Sequence, residues 1–85
     1  MWYIYFLELV NKNIYVGSTN NLKRRIKKHK NGEVKSTKNL LPLKLKSYIV
    51  IPNEEKARIL EKYFKTGSGK AILKKRILTD KYLIL

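Results

Sequence analysis

Apolar and polar positions divide this chain into short blocks whose periodicity changes along its length. From Trp2 to Leu9 the residues Trp-Tyr-Ile-Tyr-Phe-Leu-Glu-Leu are aromatic or aliphatic almost without interruption, which suits a strand mostly buried on both faces. Asn11-Lys12-Asn13 then supplies turn chemistry, because asparagine tolerates the left-handed backbone that a tight hairpin demands. Ile14-Tyr15-Val16-Gly17 resumes the strand pattern, so these residues predict a β-hairpin. Gly17 marks where the second strand bends or lets something approach its backbone.

After the hairpin the period lengthens. Thr19 or Asn20 can cap a helix running from about Asn21 to Lys30, with Leu22, Ile26 and His29 on one face. Lys23, Arg24, Lys27 and Lys28 mostly take its other faces, and Asn31-Gly32 ends it. Glu33 to Leu41 is polar and basic without periodicity and predicts a loop. Past Pro42, Leu43 to Ile51 reads as a third strand. Asn53 can cap a second helix whose first turn holds Glu54 and Glu55, complementing the helix dipole, with Ala57, Leu60 and Phe64 along one face. That helix ends near Thr66-Gly67, and a Gly-Ser-Gly turn leads into a short third helix from about Ser68 to Ile77. The apolar tail Tyr82 to Leu85 predicts packing on the sheet or on a partner subunit. The order β-β-α-β-α-α predicts an α+β fold, a small three-stranded mixed or antiparallel sheet flanked by helices. Its core would comprise Trp2, Phe6, Leu9, Ile14, Val16, Leu22, Ile26, Ile49, Leu60 and Phe64.

Composition narrows the class. At 85 residues the chain predicts one domain over 1–85, burying about 60 to 65% of its unfolded surface. With no cysteine, neither disulfides nor thiolate metal sites are available, and a metal must be held by oxygen or by His29. No apolar run approaches the roughly 20 residues of a membrane span, and Trp2 to Val10 lacks the flanks of a leader peptide. A soluble, cytoplasmic protein is expected, nucleoid-associated if its partner is DNA. The 20 Lys and Arg against 6 Asp and Glu, net +14, point to a polyanion. Charge alone does not choose among DNA, RNA and an acidic membrane surface.

Chemistry enters with Tyr5, Tyr15, Arg25 and His29, which converge if the hairpin and first helix pack together. Arg25 and His29 are four apart on a helix and leave it from the same face. Phosphodiester hydrolysis needs a proton acceptor, cations over the developing charge and usually a metal that polarises the phosphate. A tyrosine such as Tyr15 can accept the proton if cations favour its phenolate, and an arginine fork pairs with two phosphate oxygens. Among the acids, Glu61 lies mid-helix beside an apolar stripe, where a carboxylate must be paired or metal-bound. Pairing with Arg58, Lys62 or Lys65 is the alternative to metal. One carboxylate with waters suits magnesium.

At these residues the chain resembles the GIY-YIG nuclease superfamily, in particular its small single-domain bacterial members related to the catalytic module of the excinuclease that incises damaged DNA. Tyr3-Ile4-Tyr5 corresponds to the first family tripeptide and Tyr15-Val16-Gly17 to the second, followed by Ser18 to Arg25, then His29. Ala57 to Lys65 with Thr66 to Lys70 is similar to the family's glutamate helix and the turn after it. The resemblance implies Tyr15 as general base or relay, Tyr5 assisting it, Arg25 stabilising the transition state, His29 supporting proton transfer or orientation, and Glu61 holding Mg2+ or Mn2+. It implies nucleic-acid contacts at Gly17, Ser18, Arg24, Lys28 and Lys35, with Gly17 keeping the strand end open for substrate. Tyr3 departs from the pattern, standing where the first tripeptide often has glycine, and the asparagine some relatives place after the glutamate helix has no clear counterpart.

The expected activity is therefore metal-dependent cleavage of DNA, branched or damaged, with structure selectivity or weak sequence specificity, in repair or recombination, by a monomer or weak homodimer; RNA stays open as a substrate. The alternatives are a non-catalytic nucleic-acid-binding module on the same fold and a basic ribosome-associated structural protein.

Overall fold

A computed structural model describes residues 1–77 of the chain. Strands β1 (Trp2–Glu8) and β2 (Ile14–Thr19) form the hairpin, followed by helix α1 (Leu22–Lys30), strand β3 (Lys44–Ile51), and helices α2 (Glu54–Phe64) and α3 (Gly67–Ile72); α3 runs into a π-helical turn over Leu73–Ile77. The strand order is β2-β1-β3 with both pairings antiparallel. The apolar tail and Asp80 lie outside the described residues.

β1 is central because only it is apolar on both faces. Its odd positions Tyr5 and Leu7 pack with Leu22, Ile26, Leu43 and Leu45 under α1. Its even positions Ile4 and Phe6 pack with Val16, Ile51, Ala57, Phe64 and Leu73 under α2 and α3. Each such side chain withdrawn from water contributes about 1.5–3 kcal/mol. Of the predicted core, Phe6, Leu9, Val16, Leu22, Ile26 and Phe64 are buried, while Trp2, Ile14, Ile49 and Leu60 are half-buried and packed against it.

Local chemistry departs from expectation at three joints. In the hairpin turn the left-handed residue is Lys12, at φ 71°, and not an asparagine. The turn is closed by Leu9 N–H donating to the Asn13 carbonyl and Lys12 N–H to the Leu9 carbonyl, while the Asn11 side chain accepts from Asn13 N–H. The asparagine thus acts through its amide oxygen. At α1 the cap is Asn21, two residues past Thr19 and one past Asn20, accepting from Arg24 N–H at 3.1 Å. The Gly-Ser-Gly segment is helix and not turn. Thr66 caps α3 by accepting from Gly69 N–H, and Gly69 is buried where any Cβ would strike the Tyr63 carbonyl and the Phe64 Cα. Its small size is used for helix contact. The other stops hold: Gly32 sits at φ 73° after α1, and Asn53 caps α2.

The loop between α1 and β3 folds into turns held by Thr37 N–H and Lys38 N–H on the Val34 carbonyl and Leu40 N–H on the Thr37 carbonyl. Val34 and Thr37 are buried, so the segment plugs the end of α1.

Candidate active site

The site is built around the hydroxyl of Tyr5. In the hairpin register Tyr5 lies opposite Gly17, and paired residues project from the same face. A Cβ on Gly17 would collide with Cζ and Oη of the Tyr5 ring. The missing side chain therefore lets the phenol cross β2 and reach towards α1. Gly17 is buried beneath that ring, so the space it leaves is filled by Tyr5 and is not open to a substrate, contrary to the expectation of a nucleic-acid contact there.

Two residues of α1 meet the Tyr5 hydroxyl. Arg25 Nε donates to it at 3.4 Å, and His29 Nε2 lies 2.9 Å away. On its other side His29 Nδ1 is 2.8 Å from Thr37 Oγ1. Since the guanidinium can only donate, the phenol's own proton goes to Nε2, which leaves the imidazole proton on Nδ1 to donate to Thr37. Burial first, and the charge of Arg25 second, lower the His29 pKa to about 4. The ring is neutral at pH 7 and has no exposed surface. Burial likewise pushes the Tyr5 phenol up to about 12, against the opposing hydrogen bond from Arg25, so Tyr5 keeps its proton. Arg25 is in turn held charged above its ordinary range, chiefly by the hydrogen bond to Tyr5.

Tyr15, on the same face two residues before Gly17, packs its ring against His29 at 5.1 Å and Tyr5 at 6.3 Å between centroids. Its hydroxyl accepts a 3.4 Å hydrogen bond from Ser36 and belongs to the half-buried outer layer of the cluster. Beside it, a depression of about 680 Å³ is lined by Arg25, Glu33, Val34, Lys35 and Ser36. Lys35 thus stands with Arg25, while Arg24 and Lys28 are exposed on α1.

Glu61 arrives from the opposite face, since α2 packs on the even side of the sheet. The connection runs through the edge strand: Ser18 points from β2 towards α2 and donates to Glu61 Oε1 at 2.5 Å. Lys65 Nζ holds Oε2 at 2.9 Å. The carboxylate makes no hydrogen bond to Tyr5, Tyr15 or Arg25, yet its charge acts on the Tyr5 phenol and helps keep it protonated. Burial pushes Glu61 up, but the Ser18 hydroxyl and the Lys65 ammonium outweigh it and hold the carboxyl below its ordinary value. The five residues thus gather about the edge strand β2, four on one face and Glu61 on the other. Sequence reasoning missed Thr37 and Ser36, which lay in a loop without periodicity, and placed Ser18 against nucleic acid when its partner here is Glu61. Of the three cations considered for Glu61, only Lys65 pairs with it; Arg58 pairs with Glu54.

A divalent ion suits this donor set. Among the described residues no group of three or more His, Cys, Asp or Glu side chains converges, so a site rich in protein ligands is not available. An ionised carboxylate has about four lone-pair positions, and Ser18 and Lys65 occupy two. A magnesium-like ion that keeps most of its waters requires no more than one carboxylate. Lys65 has 55% of its side chain exposed and is free to swing aside.

A three-stranded antiparallel sheet whose edge gathers two phenols, a guanidinium and a carboxylate defines a nuclease-type module, and the chain belongs to the GIY-YIG catalytic domain family, whose model matches residues 1–76. A UPF0213 protein of Clostridium perfringens is 39% identical over 66 residues, covering 76% of this chain and 71% of that protein. One from Streptococcus pyogenes serotype M3 is 41% identical over 64 residues, 74% and 70% of the two chains. The solution NMR structure of a UPF0213 protein from Bacillus halodurans superposes with a TM-score of 0.55 at 34% identity, covering 86% of this chain and 82% of that one. Membership implies nuclease-type chemistry on nucleic acid. No helix among the described residues is long and apolar enough to cross a membrane.

Proposed function

We propose that this chain is an endonuclease that hydrolyses DNA phosphodiester bonds with the help of Mg2+ or Mn2+, selecting substrates by structure more than by sequence, as repair or recombination requires. The observation that carries this reading is the single Tyr5 hydroxyl that fixes both Arg25 and His29 while Tyr15 packs alongside. Such a network presents one preorganised guanidinium and one accessible phenol to a phosphate, with no reorganisation left for the transition state.

The roles follow from position. Arg25 pairs with non-bridging phosphate oxygens and offsets the charge that grows on them. Tyr15 takes the proton of the attacking water, directly or as a relay, while that water's oxygen bonds to phosphorus and the P–O bond opposite breaks. Tyr5 orients Arg25. His29, neutral and sealed from solvent, is a positioning residue that holds the Tyr5 phenol. Glu61, oriented by Ser18, would hold the divalent ion, which when bound polarises the phosphate and stabilises the leaving oxygen. Lys35, Arg24 and Lys28 guide the DNA backbone.

Branched, single-stranded and duplex DNA incubated with the protein and magnesium or manganese provide the test. Metal-dependent product that vanishes in Arg25→Ala and Glu61→Gln supports the reading. Tyr15→Phe should abolish cutting with DNA affinity nearly unchanged; equal losses of both would remove Tyr15 from its role. A second reading, a binding module without catalysis, draws on the Glu61–Lys65 ion pair, whose ammonium stands where a cation would. Binding without cleavage under every metal condition favours it.

A further inference from the structure

The odd face of the sheet extends past the catalytic cluster. Tyr48 of β3 is the cross-strand partner of Tyr5, and Val50 is that of Tyr3, so these four side chains share one face. Tyr5 is buried, but Tyr48 is 40% and Val50 47% exposed. The rings of Tyr3 and Tyr48 meet edge to face at 6.2 Å and 64°. With Asn20, Asn21, Leu22 and Lys23 they line a depression of about 310 Å³. Tyr3 is half-buried against the cluster under α1, whereas the exposed ring of Tyr48, held against Tyr3 and beside exposed Val50, is poorly accounted for by core packing.

The chemistry of that lining is specific. Aromatic faces stack on bases whatever their identity, carboxamides such as that of Asn20 donate and accept at base edges, and Lys23 meets a phosphate. We propose that Tyr3 and Tyr48 form a stacking platform for an unpaired base of the DNA, so that the substrate carries single-stranded nucleotides next to the cut. The inference rests on the nuclease reading and names its substrate class. Spacing supports it: Tyr3 is two residues from Tyr5 on the same strand, roughly 7 Å, and nucleotides rise about 3.4 Å each along a strand. A base on the platform therefore lies within a few nucleotides of a phosphate under Arg25, which reaches the Tyr5 hydroxyl. A paired base cannot use it, since its faces are covered by its neighbours in the duplex.

The test compares the protein, without metal so that nothing is cut, on three DNAs: a duplex, the same duplex with a short single-stranded flap, and that flap carrying abasic sites. Fluorescence anisotropy should give tighter binding to the flap than to the duplex, with the advantage lost on the abasic flap. Tyr48→Ala should reduce flap affinity roughly five- to a hundredfold and duplex affinity far less, whereas Tyr48→Phe, which keeps the ring, should retain the preference. Raising salt should weaken all binding, while the part of the flap preference that stacking supplies persists, because stacking releases no counterions. Equal affinity for flap and abasic flap, or a preference untouched by Tyr48→Ala, overturns the platform. In that event metal-dependent cutting lost in Arg25→Ala still leaves the nuclease standing, whereas a protein that neither binds nor cuts any of these DNAs removes both.

Discussion

Single residues at this site are valued for what they let neighbours do. Gly17 is conformationally ordinary, yet Gly17→Ala sets a methyl into the Tyr5 ring. Overpacking of this kind costs about 1–3 kcal/mol, and a displaced ring releases Arg25, so the variant should lose both thermal stability and cleavage, the latter more than stability explains. His29 makes a prediction of opposite character. Its folded-state pKa of about 4 lies below the ordinary 6.5, so the unfolded chain takes up a proton that the folded one refuses. The contribution is complete above pH 6.5 and declines as pH falls towards 4, by about 3 kcal/mol in all. Denaturation midpoints followed across pH 7 to 4 should drop over that window, and His29→Gln should flatten the drop. A slope unchanged in His29→Gln would assign the acid sensitivity elsewhere. Lys65 competes for the Glu61 carboxylate, so Lys65→Ala should lower the magnesium concentration giving half-maximal cleavage. A higher requirement would mean that the lysine assists the site.

Elements show how local chemistry yields to packing. The hairpin, the three helices and the Asn53 cap follow from short-range patterns, and an asparagine or threonine cap is worth about 0.5–2 kcal/mol each. The segment Thr66 to Gly69 illustrates the limit. Its glycines signal a turn by composition, but Thr66 opens a helix and Gly69 lets that helix touch the end of α2. Gly69→Ala should therefore cost about 2–4 kcal/mol despite raising helix propensity, because the obstructing atoms are backbone and cannot move aside. A neutral or stabilising result in chemical denaturation would show that α3 docks loosely. The loop over residues 33–41 repeats the lesson: no periodicity marked it, yet Thr37 completes the histidine's hydrogen bonding.

For the molecule as a whole, net charge of +14, with Arg25 and Lys35 at one depression and Arg24 and Lys28 exposed on α1, should make nucleic-acid association salt-dependent. Four phosphate contacts predict a slope near −3.6 for log affinity against log salt on duplex DNA, at about −0.9 per contact. Replacing Lys35 with alanine should reduce the magnitude by roughly one; an unchanged slope would place the backbone track on another face. A basic surface of this kind steers nucleic acid without reading it, which fits a chain with few elements left for base edges.

The amino-acid sequence by itself determined the strand and helix order, the both-face burial of β1, the pairing of Tyr5 with the Gly17 strand and the shared helix face of Arg25 and His29. Those depend on short repeats, a hairpin register and an i to i+4 helical spacing, all local in the chain. The packing of α1 on the hairpin brought these groups together. Tertiary structure alone decided that Gly17 makes room for Tyr5, that Thr37 seals His29, and that Glu61 joins from the other face through Ser18, across 43 residues of chain. It also decided that Tyr48 stays exposed against the half-buried ring of Tyr3. Contacts of that sort arise from how faces pack after the elements form, and no period in the sequence encodes which loop or helix will supply the partner.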